Sequence, residues 1–117
     1  VDNQQALIDE REEAYNRIVA LKQMLNTPGL PDSMKVDINN QIDALLYSTG
    51  IPMPADDKKD AMRDANIDAL ADDIDKLYVG LNSLYGNIDE EQYKEFVSKK
   101  TTSNFLLAPD EGEETVE

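Results

Sequence analysis

The chain has 117 residues, 25 of them Asp or Glu and 11 Lys or Arg, so its formal net charge is -14; it contains no Cys, no His and no Trp. Those absences exclude a disulfide scaffold, thiolate or imidazole metal sites, and nucleophilic catalysis that depends on Cys or His. The charge argues against unaided binding to nucleic-acid phosphates or anionic lipid, since both need Lys and Arg in excess.

Pro and Gly cluster at Thr27-Pro28-Gly29-Leu30-Pro31 and at Gly50-Ile51-Pro52-Met53-Pro54, and each cluster reads as a loop between helices. Ahead of the first, Leu7, Ala14, Ile18, Leu21 and Leu25 alternate steps of four and three, with Arg11 filling the missing place. Tyr15 and Val19 widen this seam, which predicts a helix over about residues 3–26. Between the clusters, Asp32 or Ser33 can cap a second helix of about 17 residues, and Met34, Ile38, Ile42, Leu45, Leu46 and Thr49 carry its period. Gly50 supplies a positive-φ stop.

The third helix has the clearest pattern: Ile67, Leu70, Ile74, Leu77, Leu81 and Leu84 step by three and four without a break, flanked by a second row at Ala71, Tyr78 and Tyr85. It opens near Pro54 with Asp56 and Asp57 at the positive end of the helix dipole and closes at Gly86. At about 31 residues it would be roughly 46 Å long. Gly80 inside it suggests a kink or a close approach by another helix. Asn87 with Glu90 suggests a capping box for a short fourth helix, residues 88–100, whose Ile88, Tyr93, Phe96 and Val97 cover one end of the bundle.

From Thr101 to Glu117 the chain has five acidic residues, no basic one, Pro109 and Gly112, and a single apolar cluster at Phe105, Leu106 and Leu107. Such a segment cannot offset its own ordering entropy, so residues 1–100 read as a helical domain and residues 101–117 as an extended acidic tail. Its apolar cluster followed by acids resembles a docking peptide, and folding back onto its own bundle is an equal alternative. No apolar stretch approaches the roughly 20 residues of a membrane span. The first residue is Val and not Met, which fits a processed chain or a fragment.

The third helix contains eight Asp and no Glu, and Asp56, Asp60, Asp64, Asp68 and Asp72 recur every four residues, about 6 Å apart along the axis. Such a row can face a basic partner or imitate a nucleic-acid strand; as a plain solvated face it is partly neutralised by Lys59, Arg63 and Lys76. Neither Asp72-Asp73-Asp75, Asp89-Glu90-Glu91 nor Asp110-Glu111-Gly112-Glu113-Glu114 has the alternating oxygen spacing of a calcium loop, and the five Gly form no phosphate-binding loop. Five tyrosines, Tyr15, Tyr47, Tyr78, Tyr85 and Tyr93, lack the basic surround of a base-stacking platform and read as core-edge residues.

The sequence therefore predicts an all-α protein: an antiparallel helical bundle with coiled-coil-like packing, three long helices, a short fourth and the tail. Its core is expected at Leu21, Ile42, Leu45, Ile67, Leu70, Ile74, Leu77, Leu81 and Leu84, and its partner contacts at Phe105, Leu106 and Leu107 and along the Asp row. The expected function is non-enzymatic assembly through protein–protein contacts, as in a phage-like scaffolding, connector or core component or an assembly chaperone, cytoplasmic or in a virion. A protein partner with a basic surface, or a second copy within a homo-oligomer or larger assembly, is expected, with no cofactor, no metal, no direct nucleic acid and no membrane. The competing expectation is an acidic mimic of DNA that occupies the groove of a basic protein.

Overall fold

The computed structural model describes the backbone of residues 2–85 and 88–107 and the side chains of residues 3–82 and 88–104. Four helices follow one another, α1 (Asp2–Met24), α2 (Asp32–Ser48), α3 (Lys59–Tyr85) and α4 (Glu90–Leu107), with a short 3-10 turn, Asp56–Lys58, leading into α3. No strand occurs among the described residues.

The loops form where the Pro and Gly clusters put them, and their chemistry is visible. Gly29 and Gly50 have φ of 76° and 94°. At the end of α2 the Gly50 N–H bonds to the Tyr47 carbonyl and the Ile51 N–H to the Leu46 carbonyl, while Ile51 turns into the core. This is the paired-bond closure that a left-handed glycine permits. The start of α2 differs from expectation. Pro31, at φ -63° and ψ 151°, occupies the capping position, and its carbonyl accepts from Met34 and Lys35. Asp32 thus lies in the first turn, where its charge favours the dipole, and neither it nor Ser33 caps the helix. Asp89 caps α4, its carboxylate accepting from the Gln92 N–H at 3.1 Å; Asn87 lies outside the described residues.

Helix α1 is the hub, packing against α2, α3 and α4. A helix with three neighbours needs more than one apolar row, and α1 has two. Ala14 and Ile18 are buried in the expected seam, but Leu7 is 38% exposed and Leu21 half-buried. The second row, Ile8, Glu12, Tyr15, Val19 and Lys22, turns toward α3 and α4, with Ile8, Tyr15 and Val19 buried. Ile42, Ile67, Leu70, Ile74 and Leu81 are buried; Leu45 and Leu77 are half-buried and pack against the core, and the Leu84 side chain lies outside the described residues.

Helix α4 extends seven residues past Lys100, so residues 101–107 are helical and not part of an extended tail. Ser103 explains the extension: its side chain is buried in the same face as Phe96, next to the Tyr15 hydroxyl. The hydroxyls of Thr101 and Thr102 turn back to the carbonyls of Val97 and Ser98, at 3.0 and 3.2 Å, so residues that usually favour turns are accommodated within the helix. Residues 108–117 lie outside the described residues. Gly80 has open space where a Cβ would sit, so no neighbouring helix requires its absence.

Candidate functional site

The side chains with chemistry to offer are drawn together at two places inside the bundle. The first joins α2 to α3. The Arg63 guanidinium, 7% exposed, donates from Nε and Nη2 to both carboxylate oxygens of Asp43 at 2.8 Å, and from Nη1 to Asp60 Oδ1 at 2.8 Å. The forked geometry matches a carboxylate edge-on, and the hydrogen bonds Arg63 donates to Asp43 hold its pKa above the usual value against the opposing effect of burial. From the sequence, Arg63 reads only as one of three cations diluting the Asp row. Its signal was a cation in register with the inward-facing seam, four residues before Ile67 and seven before Leu70.

The second cluster joins α1, α3 and α4. Tyr78 donates its hydroxyl proton to Glu12. Gln92 donates from one amide nitrogen to Glu12 Oε1 at 2.8 Å and Asp9 Oδ1 at 2.9 Å, and Gln5 donates to the same Asp9 oxygen at 2.9 Å. Lower on α4, Lys100 Nζ reaches Asp75 at 2.6 Å and the Tyr93 hydroxyl donates to the other Asp75 oxygen at 3.3 Å. Between these groups, Tyr78 meets Tyr93 edge-on at 4.9 Å and Phe96 lies within 5.8 Å of both Tyr15 and Tyr78. Burial pushes the phenol pKa of Tyr78 far up, and the neighbouring Glu12 adds to it; burial also raises those of Tyr15 and Tyr93. Tyr15 and Tyr78 are therefore core residues outright, Tyr93 is half-buried, Tyr47 is 63% exposed, and the Tyr85 side chain lies outside the described residues.

The Asp row does not form one face. A four-residue step overshoots a helical turn by about 40°, so between Asp60 and Asp72 the row winds about 120° around α3. Asp60 meets Arg63 beside α2, Asp64 meets Lys22 of α1 at 3.0 Å, and Asp72 lies 3.6 Å from Lys76 and within the field of Lys100 on α4. Asp56 pairs with Lys59 at 3.4 Å, and Asp68 lines a shallow cleft with Ala69, Ala71, Asp72 and Lys100. The side chains of Phe105, Leu106 and Leu107, at the end of α4, lie outside the described residues, as do Asp110, Glu111, Glu113 and Glu114.

The surface clefts are shallow and lie in seams between helices: one between α1 and the end of α2, lined by Leu7, Glu10, Arg11, Ala14, Ser48 and Thr49, another lined by Arg17, Ala20, Leu21, Gln41 and Leu45. Among the described residues no group of three or more metal-ligating side chains converges, and no helix is long and apolar enough to cross a membrane. Compared with protein families, curated proteins and solved structures, the chain matches none.

Proposed function

We propose that this chain is a non-enzymatic assembly or interaction protein that works through protein–protein contacts, of the kind served by scaffolding, connector or core components of phage-like particles and by assembly chaperones. The observation that carries the reading is where its polar chemistry is used. Arg63, Asp43, Tyr78, Glu12, Gln92, Asp75 and Lys100 are tied to one another across helix boundaries, so they hold helices in register, and the clefts that Asp43 and Lys100 border are small or shallow. The bundle is taken to be antiparallel with coiled-coil-like crossings, which suits a rigid building block. Large apolar side chains remain on its outside, among them Val36, Tyr47, Met53 and Val79, and these are the groups a partner would cover.

The DNA-mimic alternative draws support only from the overall charge. A row that winds around its helix and is met by Arg63, Lys22 and Lys76 presents no straight line of free carboxylates to a groove. Capture from a native extract, washed with rising salt, separates the readings. A partner retained at about 0.5 M salt supports apolar assembly, because exposed charges are screened within about 4 Å there. A partner shed steeply between low and physiological salt supports the mimic.

A further inference from the structure

We propose that the trough left between α1 and α3 beyond the end of α2 docks a short amphipathic helix of a partner, with apolar side chains facing inward and Lys or Arg along its edges. The inference rests on the assembly reading above and names the chemistry of the partner.

Helix α2 fills the seam between α1 and α3 along only part of its length. It ends at Ser48, level with Arg11 and Ala14, while α1 runs about two and a half turns further to its start and α3 about as far from Leu77 to Tyr85. Helix α4 lies on the far side of that pair, where Gln92 meets Glu12 and Tyr93 meets Tyr78, and it leaves the near side open. Two clefts join there around Leu7 and Arg11, one reaching to the end of α2 and the other to Asp73 and Leu77 on α3. Leu7 is 38% exposed, and Leu77 is half-buried in a row whose members Leu70, Ile74 and Leu81 are buried. Gly80 follows Leu77 by one turn on the same face and has open space where a Cβ would sit, so a helix can approach the backbone closely beside the two leucines.

The charge around this trough is one-sided. Residues 3–13, 72–82 and 88–95 form the end of the bundle at which it opens, as the contacts of Gln92 with Asp9 and Glu12 and of Tyr78 with Glu12 show. They carry eleven carboxylates and three cations, whereas the remaining described residues carry eight of each. Of the three cations, Arg11 is drawn to the Thr49 carbonyl at 3.5 Å, Lys76 lies 3.6 Å from Asp72, and Lys94 is on α4. Glu10 stands exposed on the α2 side of the trough and Asp73 on the α3 side.

That pattern selects the occupant. A basic segment is attracted to this end and gains nothing from the neutral one, while an acidic helix, or a second copy of charge -14, is repelled from it. The leucines and the open backbone at Gly80 offer nothing to an unstructured basic tail. They suit apolar anchors at three-four spacing, the pattern by which a helix fills a groove.

The test uses the full chain and a synthetic peptide of about 14 residues made of Leu, Ala and Lys, with its leucines at three-four spacing. Calorimetry should show this peptide binding at least tenfold tighter than a scrambled isomer or a version with Glu in place of Lys, and amide NMR shifts should concentrate at Leu7, Leu77 and Gly80. Salt at about 0.5 M should weaken binding severalfold without abolishing it, since screening spares the apolar contacts. Gly80→Leu fills the floor and replaces a poor helix former, so it should keep its circular dichroism and weaken binding at least tenfold. Ala65→Leu, on the exposed side of α3 in the neutral half, should bind as the wild type does. Glu10→Gln with Asp73→Asn should weaken binding severalfold, and Asp32→Asn with Asp37→Asn should not. Equal binding of the scrambled peptide or of Gly80→Leu, or no binding up to about 1 mM, overturns the proposal; equal binding of the Glu version overturns the choice of a basic occupant. A partner captured from a native extract equally by wild type and Gly80→Leu removes this site while the assembly reading stands, and capture of nothing by either removes both.

Discussion

Replacing Arg63 with Met removes the forked ion pair that joins α2 to α3. The side chain makes three hydrogen bonds at 2.8 Å, two of them to Asp43, whose side chain is 11% exposed. Met fills much of the aliphatic volume but leaves the Asp43 carboxylate buried with no donor from Arg63. Removing one partner of a buried ion pair typically costs about 3–5 kcal/mol, mostly the desolvation of the charge left behind. A domain of this size has a total stability of roughly 6–18 kcal/mol, so the variant should lose a large share of it and about 12–20 °C in Tm. Urea unfolding followed by circular dichroism measures the loss. The double variant Arg63→Met, Asp43→Leu should recover most of it, because no charge then remains buried. Asp60→Ala should cost less than about 1 kcal/mol, since Asp60 is 91% exposed and its pairing is screened by water. A loss below about 1 kcal/mol for Arg63→Met, or a double variant as unstable as the single one, would refute the assignment of this fork as a buried lock between α2 and α3.

Three further outcomes follow from burial, backbone geometry and titration. Ile74→Ala should cost about 2–5 kcal/mol and Leu77→Ala clearly less, because Ile74 is fully buried and Leu77 only half; equal losses in denaturant titration would contradict that difference. Gly80→Ala should stabilise by up to about 1 kcal/mol, read as a higher Tm, since a Cβ meets open space there; a lower Tm would mean the site is crowded. Tyr15, Tyr78, Tyr93 and Lys100 all have pKa values raised by folding, so the stabilisation they reflect is complete below their ordinary values near pH 10 and is lost as pH rises through the raised ones. Alkaline titration should therefore show tyrosinate absorbance and loss of helix rising together, and three tyrosines ionising with the helices intact would contradict the packing around α4.

The residues that punctuate the chain made its architecture legible. Gly50 and Gly29 are where the backbone needs positive φ, and the unbroken three-four row from Ile67 to Leu81 runs along α3. The second row of α1 was obscured because Glu12 and Lys22 interrupt it. Each is polar for a reason that only tertiary structure supplies, Glu12 meeting Tyr78 and Gln92, and Lys22 meeting Asp64. The end of α4 was missed for a related reason. Thr101, Thr102 and Ser103 have the composition of a loop, and nothing local announces that Ser103 will be buried against Tyr15. The Asp row was misleading in another way: regular spacing in sequence became a spiral in space, because four is not the helical repeat. Hydropathy patterns reveal which residues avoid water. They are silent on polar residues whose partners lie on another helix.

The central claim, that this bundle acts by associating with protein surfaces, is tested most directly by capture from a native extract on the wild-type chain and on Gly80→Leu, washed in low salt and at about 0.5 M, where exposed charges are screened. The account predicts a partner held by the wild type through the high-salt wash and lost from Gly80→Leu. A wild type that retains nothing, or whose partner is shed as salt rises, would contradict it.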